Sequence, residues 1–241
     1  PIVIRWIVVK IIRSAKRFQA PIFLAAAILS VLVLLFQTIL IEMIEDKGSI
    51  LPINDFLLTS SAIIAFLCLL YAAKNMEGRS KRAWLILAAA MLFESIAEGT
   101  WAFMEVVLQE DPFPSVADFF YLMFYPLFAA GIFLLPNAPL SPRERLGVIL
   151  DSAIVIISAT LVFWIFYFAP VVSSLNTITF ELTISLAYSM MDIVMFVALI
   201  RLLLSKLDAP TITPALFLAA GMAAVLVADA VFCIQTQKGT Y

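Results

Sequence analysis

The 241-residue chain contains no histidine and only two cysteines. The first absence excludes His-ligated haem, the usual zinc sites, and Ser-His or Cys-His nucleophilic catalysis. Cys68 and Cys233 fall at opposite depths of their apolar segments, so a disulfide between them is not expected, and both read as small apolar residues. Charge is scarce as well: 13% of residues are charged against 64% hydrophobic, and mean hydropathy is +1.09. These values lie far outside the range of soluble domains and indicate a polytopic membrane protein with no room for a soluble catalytic domain.

Apolar runs of about 20 residues, the length that crosses a hydrocarbon core of roughly 30 Å, recur along the chain. The hydropathy predicts seven spans, near 21–43, 51–73, 83–108, 115–135, 147–169, 181–204 and 213–235. Backbone groups in hydrocarbon must be satisfied internally, and the segments lack the alternation of barrel strands, so an all-α polytopic helical bundle is expected. No lysine falls at membrane depth in any span, which argues against a retinal Schiff base.

The few basic residues are unevenly placed. Arg5, Lys10, Arg13, Lys16 and Arg17 precede span one; Lys74, Arg79, Lys81 and Arg82 join spans two and three; Arg143 and Arg145 join four and five; Arg201 and Lys206 join six and seven. Only Lys47 and Lys238 lie on the other side, so the positive-inside rule places the N-terminus in the cytoplasm of a cell (inner) membrane protein. Residues 1–18 form a basic amphipathic segment that suits an interfacial helix on anionic lipid, or a plain positive-inside anchor, ahead of a transmembrane domain over 19–241.

A repeat is visible at an offset of 131: LILAAAMLFESIAEGTW at 85–101 pairs with LFLAAGMAAVLVADAVF at 216–232, aligning Glu98 with Asp229. The same offset carries span one onto five and span two onto six. Four helices per unit would make a 4+4 parallel repeat, so an eighth helix is expected after Tyr241.

What is present, against composition, is acid. MLFESIAEGTWAF at 91–103 sets Glu94 and Glu98 one helical turn apart at membrane depth, where ionised carboxylates are costly. At 1.5 Å per residue, Glu94 and Asp192 fall near the midplane, Glu98 and Asp229 in the outer half, and Asp118 and Glu105 near the outer surface. No arginine or lysine reaches that depth, so the acids must be protonated, hydrogen-bonded, wetted or cation-bound. Helical wheels put Glu94, Glu98, Trp101 and Glu105 on one face, Asp118, Tyr121 and Tyr125 on another, and Tyr188 in line with Asp192. Trp84, Trp164 and Tyr167 read as membrane-interface aromatics, and Asp151 as interfacial.

Buried acids and tyrosines can simply join helices, at about 1 kcal/mol per contact, and Asp118 and Asp192 fit that role well. For Glu94, Glu98 and Asp229, negative charge without a basic partner points instead to an acidic pocket in the outer half, lined by Trp101, Tyr121, Tyr125 and Tyr188. Such a pocket suits a proton, a cation or an organic amine held by charge and by cation–π attraction at Trp101. No cofactor is identified.

Four stretches carry a family resemblance: PSVADFFYLMFYPLFAAGIFLLP at 114–136, RERLGVILDSAIVIISATLVFWIFYFAP at 143–170, LAYSMMDIVMFVALIRLL at 186–203 and LFLAAGMAAVLVADAVF at 216–232. Together they resemble the multi-pass membrane input domain found ahead of diguanylate cyclase, phosphodiesterase, PAS or histidine-kinase modules in bacteria and archaea. The family pattern has proline after LAY where this chain has Ser189. The resemblance implies eight helices, a non-enzymatic sensory domain and a cytoplasmic signalling output on the same polypeptide, but carries over no ligand residue. Its partners would be membrane lipids and that output module, with a homodimer possible and no nucleic acid. The rival readings are a small cation- or proton-coupled transporter and a passive dimerising anchor.

Overall fold

The structure is a computed structural model that describes residues 47–74, 76–135, 141–165, 180–205 and 209–238. Span one and the basic segment over 1–18 lie outside the described residues, as do Tyr167 and any helix after Tyr241. Among the described residues the chain is all-helical. The helices are α1 (Lys47–Lys74), α2 (Gly78–Ala102, continued by a π-helical stretch Phe103–Leu108), α3 (Val116–Leu134), α4 (Pro142–Phe163), α5 (Phe180–Leu204) and α6 (Ala209–Lys238). Four stretches are long and apolar enough to cross a membrane, Pro52–Lys74, Gly78–Leu108, Val116–Leu134 and Thr183–Leu204, with a shorter apolar helix at Pro214–Asp229.

The hydropathy-derived spans two, four, six and seven therefore coincide with helices to within a few residues. Spans three and five begin five residues earlier than expected, at Gly78 and Pro142, and the predicted end of span five near 169 lies outside the described residues. The six helices leave the seven-span count and the 4+4 repeat as expectations.

The helix ends follow local chemistry. At the start of α3, the Ser115 hydroxyl accepts from the Ala117 amide at 3.1 Å while Asp118 Oδ2 accepts from the Ser115 amide at 2.6 Å, a capping box that satisfies two otherwise orphaned donors. At the far end of α2 the ladder widens into the π-helical stretch, then stops at Gln109, whose backbone is left-handed (φ 53°). The Gln109 and Glu110 amides both return to the Met104 carbonyl.

Packing centres on α3. Helix α2 lies along α1 on one side and α3 on the other; α3 packs on α5, and α5 in turn on α4 and α6. The core is built from Leu87, Phe124, Phe128, Ile132, Met195, Leu199 and Met222, with small residues such as Ala90, Ala129 and Ala198 between them. Small side chains allow close helix approach in a setting where lipid removes the usual hydrophobic incentive. Gly131 shows this most directly: a Cβ there would sit 2.6 Å from Leu87 Cγ, so only glycine lets α3 reach α2 at that level. At Gly99, by contrast, a Cβ would meet Thr59 of α1 only at an ordinary contact distance. Trp84, read as an interface aromatic, belongs instead to the core at 8% exposure, whereas Trp164 is exposed.

The two ends of the bundle differ in charge. At one end Arg79 of α2 donates to the Leu134 and Phe133 carbonyls at 3.0 and 3.3 Å, and the Arg201 guanidinium of α5 lies 5.8 Å from the Phe133 ring. Lys74, Lys81 and Arg82 flank this basic end. The starts of α1, α3 and α5 and the end of α2 form the opposite, acidic end.

Candidate functional site

Helix α3 presents Asp118, Tyr121 and Tyr125 along one face because their spacing of three and four residues matches the helical turn. Each meets a partner from a different helix. Asp118, only 1% exposed, accepts a 2.7 Å hydrogen bond at Oδ1 from the Tyr188 hydroxyl of α5 while its Oδ2 caps its own helix. The Tyr121 hydroxyl reaches the Glu98 carboxyl of α2. The Tyr125 hydroxyl donates to Asp229 Oδ2 of α6 at 2.7 Å. Three of the chain's six tyrosines thus serve buried carboxyls.

The carboxyls also meet one another. Glu94 feels both Glu98, one turn along α2, and Asp229 on α6. Asp229, which accepts from Tyr125, lies against the carboxyl of Asp192 of α5, and Asp192 Oδ1 is buried without a hydrogen-bond partner. Tyr125 and Tyr188 touch edge to face with ring centroids 6.3 Å apart, which joins the Asp229 branch to the Asp118 branch. Glu94, Glu98, Asp192 and Asp229 therefore share one region with Tyr121, Tyr125 and Tyr188, drawn from four helices.

Asp118 and Trp101 both have their polar groups engaged here. Asp118 is a cap and a tyrosine acceptor with both oxygens engaged, which is the structural role, so it borders the cluster without offering it a free oxygen. Trp101 is committed too: its indole N–H donates to Glu105 Oε2 at 2.9 Å and its ring sits edge-on to Tyr121 at 6.3 Å. That leaves the cation–π role expected of Trp101 without an observation to support it.

One participant was missed. Asp55 of α1 is 5% exposed, and its carboxyl lies against that of Glu105 and beside the Asn54 amide, within electrostatic range of Glu98. Its signal in the sequence was an aspartate inside an otherwise apolar run, masked by its closeness to the acidic segment at 42–46.

Every neighbour named for these carboxyls is another carboxyl, a phenol, an indole, an amide or a backbone N–H; among the described residues no lysine or arginine joins them. No three acid or thiol groups among the described residues assemble as a metal-holding set. The arrangement can do one kind of chemistry well. A carboxylate has no donor, so two carboxyls hydrogen-bond to each other only when one of them carries a proton. Comparison with known protein families, with the curated proteins and with the solved structures found no match.

Proposed function

We propose that the chain is a membrane-embedded sensory domain whose stimulus is occupancy of the Glu94–Glu98–Asp192–Asp229 cluster, with the proton as the occupant the geometry favours. The observation that carries this reading is the approach of the Asp192 and Asp229 carboxyls, from α5 and α6, beside Glu94 of α2, with no lysine or arginine near them among the described residues. Such a contact joins two helices while a proton is present and repels them when it leaves. A ligand shifts a two-state equilibrium only by its differential affinity for the two states. Here the joined and separated arrangements differ in the number of protons they hold.

The resemblance to multi-pass input domains supports a cytoplasmic output module on the same polypeptide, and the basic end of the bundle supports a cytoplasmic face there, in a cell membrane. The eighth helix, the parallel repeat and a homodimer belong to the same proposal.

The test is a pH titration of the purified chain in lipid nanodiscs, read by distances between spin labels on α5 and α6. The native chain should change distance with pH, and the Glu94→Gln/Glu98→Gln and Asp192→Asn/Asp229→Asn variants should be fixed across the same range. An unaltered titration in both variants rejects the proposal. Proton or cation flux into proteoliposomes would assign the same acids to transport instead.

A further inference from the structure

The basic end of the bundle carries two like charges that the fold brings together from different helices. Arg79 of α2 donates from Nη2 to the Phe133 carbonyl at 3.3 Å and from Nε to the Leu134 carbonyl at 3.0 Å, while the Arg201 guanidinium of α5 lies 5.8 Å from the centre of the Phe133 ring. The two guanidiniums thus converge on one residue in the last turn of α3, within electrostatic range of each other. Exposed Lys81 and Arg82 follow on α2, and exposed Lys74 ends α1. The acid set against them is Glu77, itself exposed.

Neither helix stability nor topology accounts for the pair. Arg79, Lys81 and Arg82 open α2, whose first turn holds no acid; basic charge at that end of a helix opposes its macrodipole. The carbonyls that Arg79 meets offer the partial charge of a helix C-terminus, not a counter-ion. Positive-inside placement is met by lysine or arginine anywhere on one face and does not require two guanidiniums gathered from α2 and α5. What surrounds the pair indicates its ligand. By engaging Nε and Nη2, the α3 carbonyls fix the plane of the Arg79 guanidinium and leave its Nη1 donors for another acceptor. Guanidinium forks match the oxygens of a phosphate. Both arginines stand at the ends of stretches long enough to cross a membrane, Gly78–Leu108 and Thr183–Leu204, which is headgroup level. The Phe133 ring they share is 41% exposed, so apolar surface adjoins the charges. A soluble anion has no use for that surface, whereas a lipid has chains to lay on it.

We propose that Arg79 and Arg201 together bind the phosphate of an anionic membrane lipid whose chains lie against Phe133. The bound phosphate relieves the repulsion between the two guanidiniums and ties α2 to α5 across the end of α3.

The test is thermal unfolding of the purified chain in phosphatidylcholine nanodiscs in which the fraction of phosphatidylglycerol is raised at constant ionic strength. Tm should rise saturably by about 3–6 °C. Arg79→Gln/Arg201→Gln should abolish the rise, whereas Lys81→Gln/Arg82→Gln, which removes the same charge, should keep most of it. Arg79→Gln should change Tm little in phosphatidylcholine alone. Arg79→Lys, which retains the charge and loses the planar fork, should raise the half-saturating phosphatidylglycerol fraction about threefold. Inorganic phosphate added to phosphatidylcholine nanodiscs should leave Tm unchanged. Equal Tm at every lipid fraction overturns the proposal, and so does an equal loss in the two double variants, which would reduce the effect to net charge. A rise in inorganic phosphate matching that in phosphatidylglycerol also overturns it and assigns the pair to a soluble anion. Should Arg79→Gln/Arg201→Gln fail to fold, an unchanged lipid dependence in Arg79→Lys overturns it equally.

Discussion

The basic and acidic halves of the bundle handle charge in opposite ways. At the basic end Arg79 and Arg201 keep permanent charges at the rim, where Arg79 donates to carbonyls ending α3 and Arg201 lies over Phe133. The carbonyls at a helix C-terminus lack intrahelical donors and carry partial negative charge, so a guanidinium completes them at little desolvation cost. In the acidic half the charges are buried, and their partners are phenols and other carboxyls. The difference follows from chemistry: arginine cannot shed its proton, whereas a carboxyl can become neutral by gaining one. Groups whose charge is fixed stay at the edge, and groups whose charge can be cancelled go inside.

The largest disturbance to this comparison should come from the tight contact of α3 with α2 near the basic end. Gly131→Ala would drive a Cβ into Leu87, and overpacking of this kind costs about 1–3 kcal/mol. Its Tm should fall by several degrees, and Leu87→Ala in the same chain should recover part of the loss, because the clash at 2.6 and 2.7 Å is with that side chain. Tyr125→Phe comes next. It leaves Asp229 Oδ2 without its hydroxyl donor, at a cost of about 1–2 kcal/mol. A double-mutant cycle with Asp229→Asn should return a coupling of that order, and additivity of the two substitutions would contradict the contact.

Ser115→Ala removes only the acceptor for the Ala117 amide and should cost about 1 kcal/mol. The smallest effect should be Arg79→Gln, below about 0.5 kcal/mol, because the rim of the bundle gives the freed carbonyls access to water. A loss at Arg79 as large as that at Tyr125 would erase the contrast between rim and interior. Denaturant or thermal unfolding in a fixed lipid composition measures all four.

Much of the fold was legible because membrane helices announce themselves by length. The span expected at 181–204 is the helix Phe180–Leu204, and that expected at 115–135 is Val116–Leu134. The tyrosine and acid faces were legible from helical spacing. What spacing could not supply was partners across helices. Tyr125 and Asp229 are 104 positions apart, and nothing local in either segment joins them. Asp118 looked like one more buried acid, although Ser115 three residues earlier is the signature of a capping box. Trp101 was placed on the correct face but its indole N–H, satisfied within its own helix by Glu105, determines which way the ring turns. Asp55 was overlooked because its importance comes from α2, not from its own segment.

Pro126 sits directly after Tyr125 in the middle of α3. Lacking an N–H, it leaves the Leu122 carbonyl without its usual rung, and its ring presses on the preceding turn. The missing rung is a joint within the continuous helix α3, with Asp118, Tyr121 and Tyr125 tethering the part before it and Leu87 and Arg79 holding the part after it. Bending is least costly at that joint, so a force applied to the tethers of one part reaches the other as a tilt.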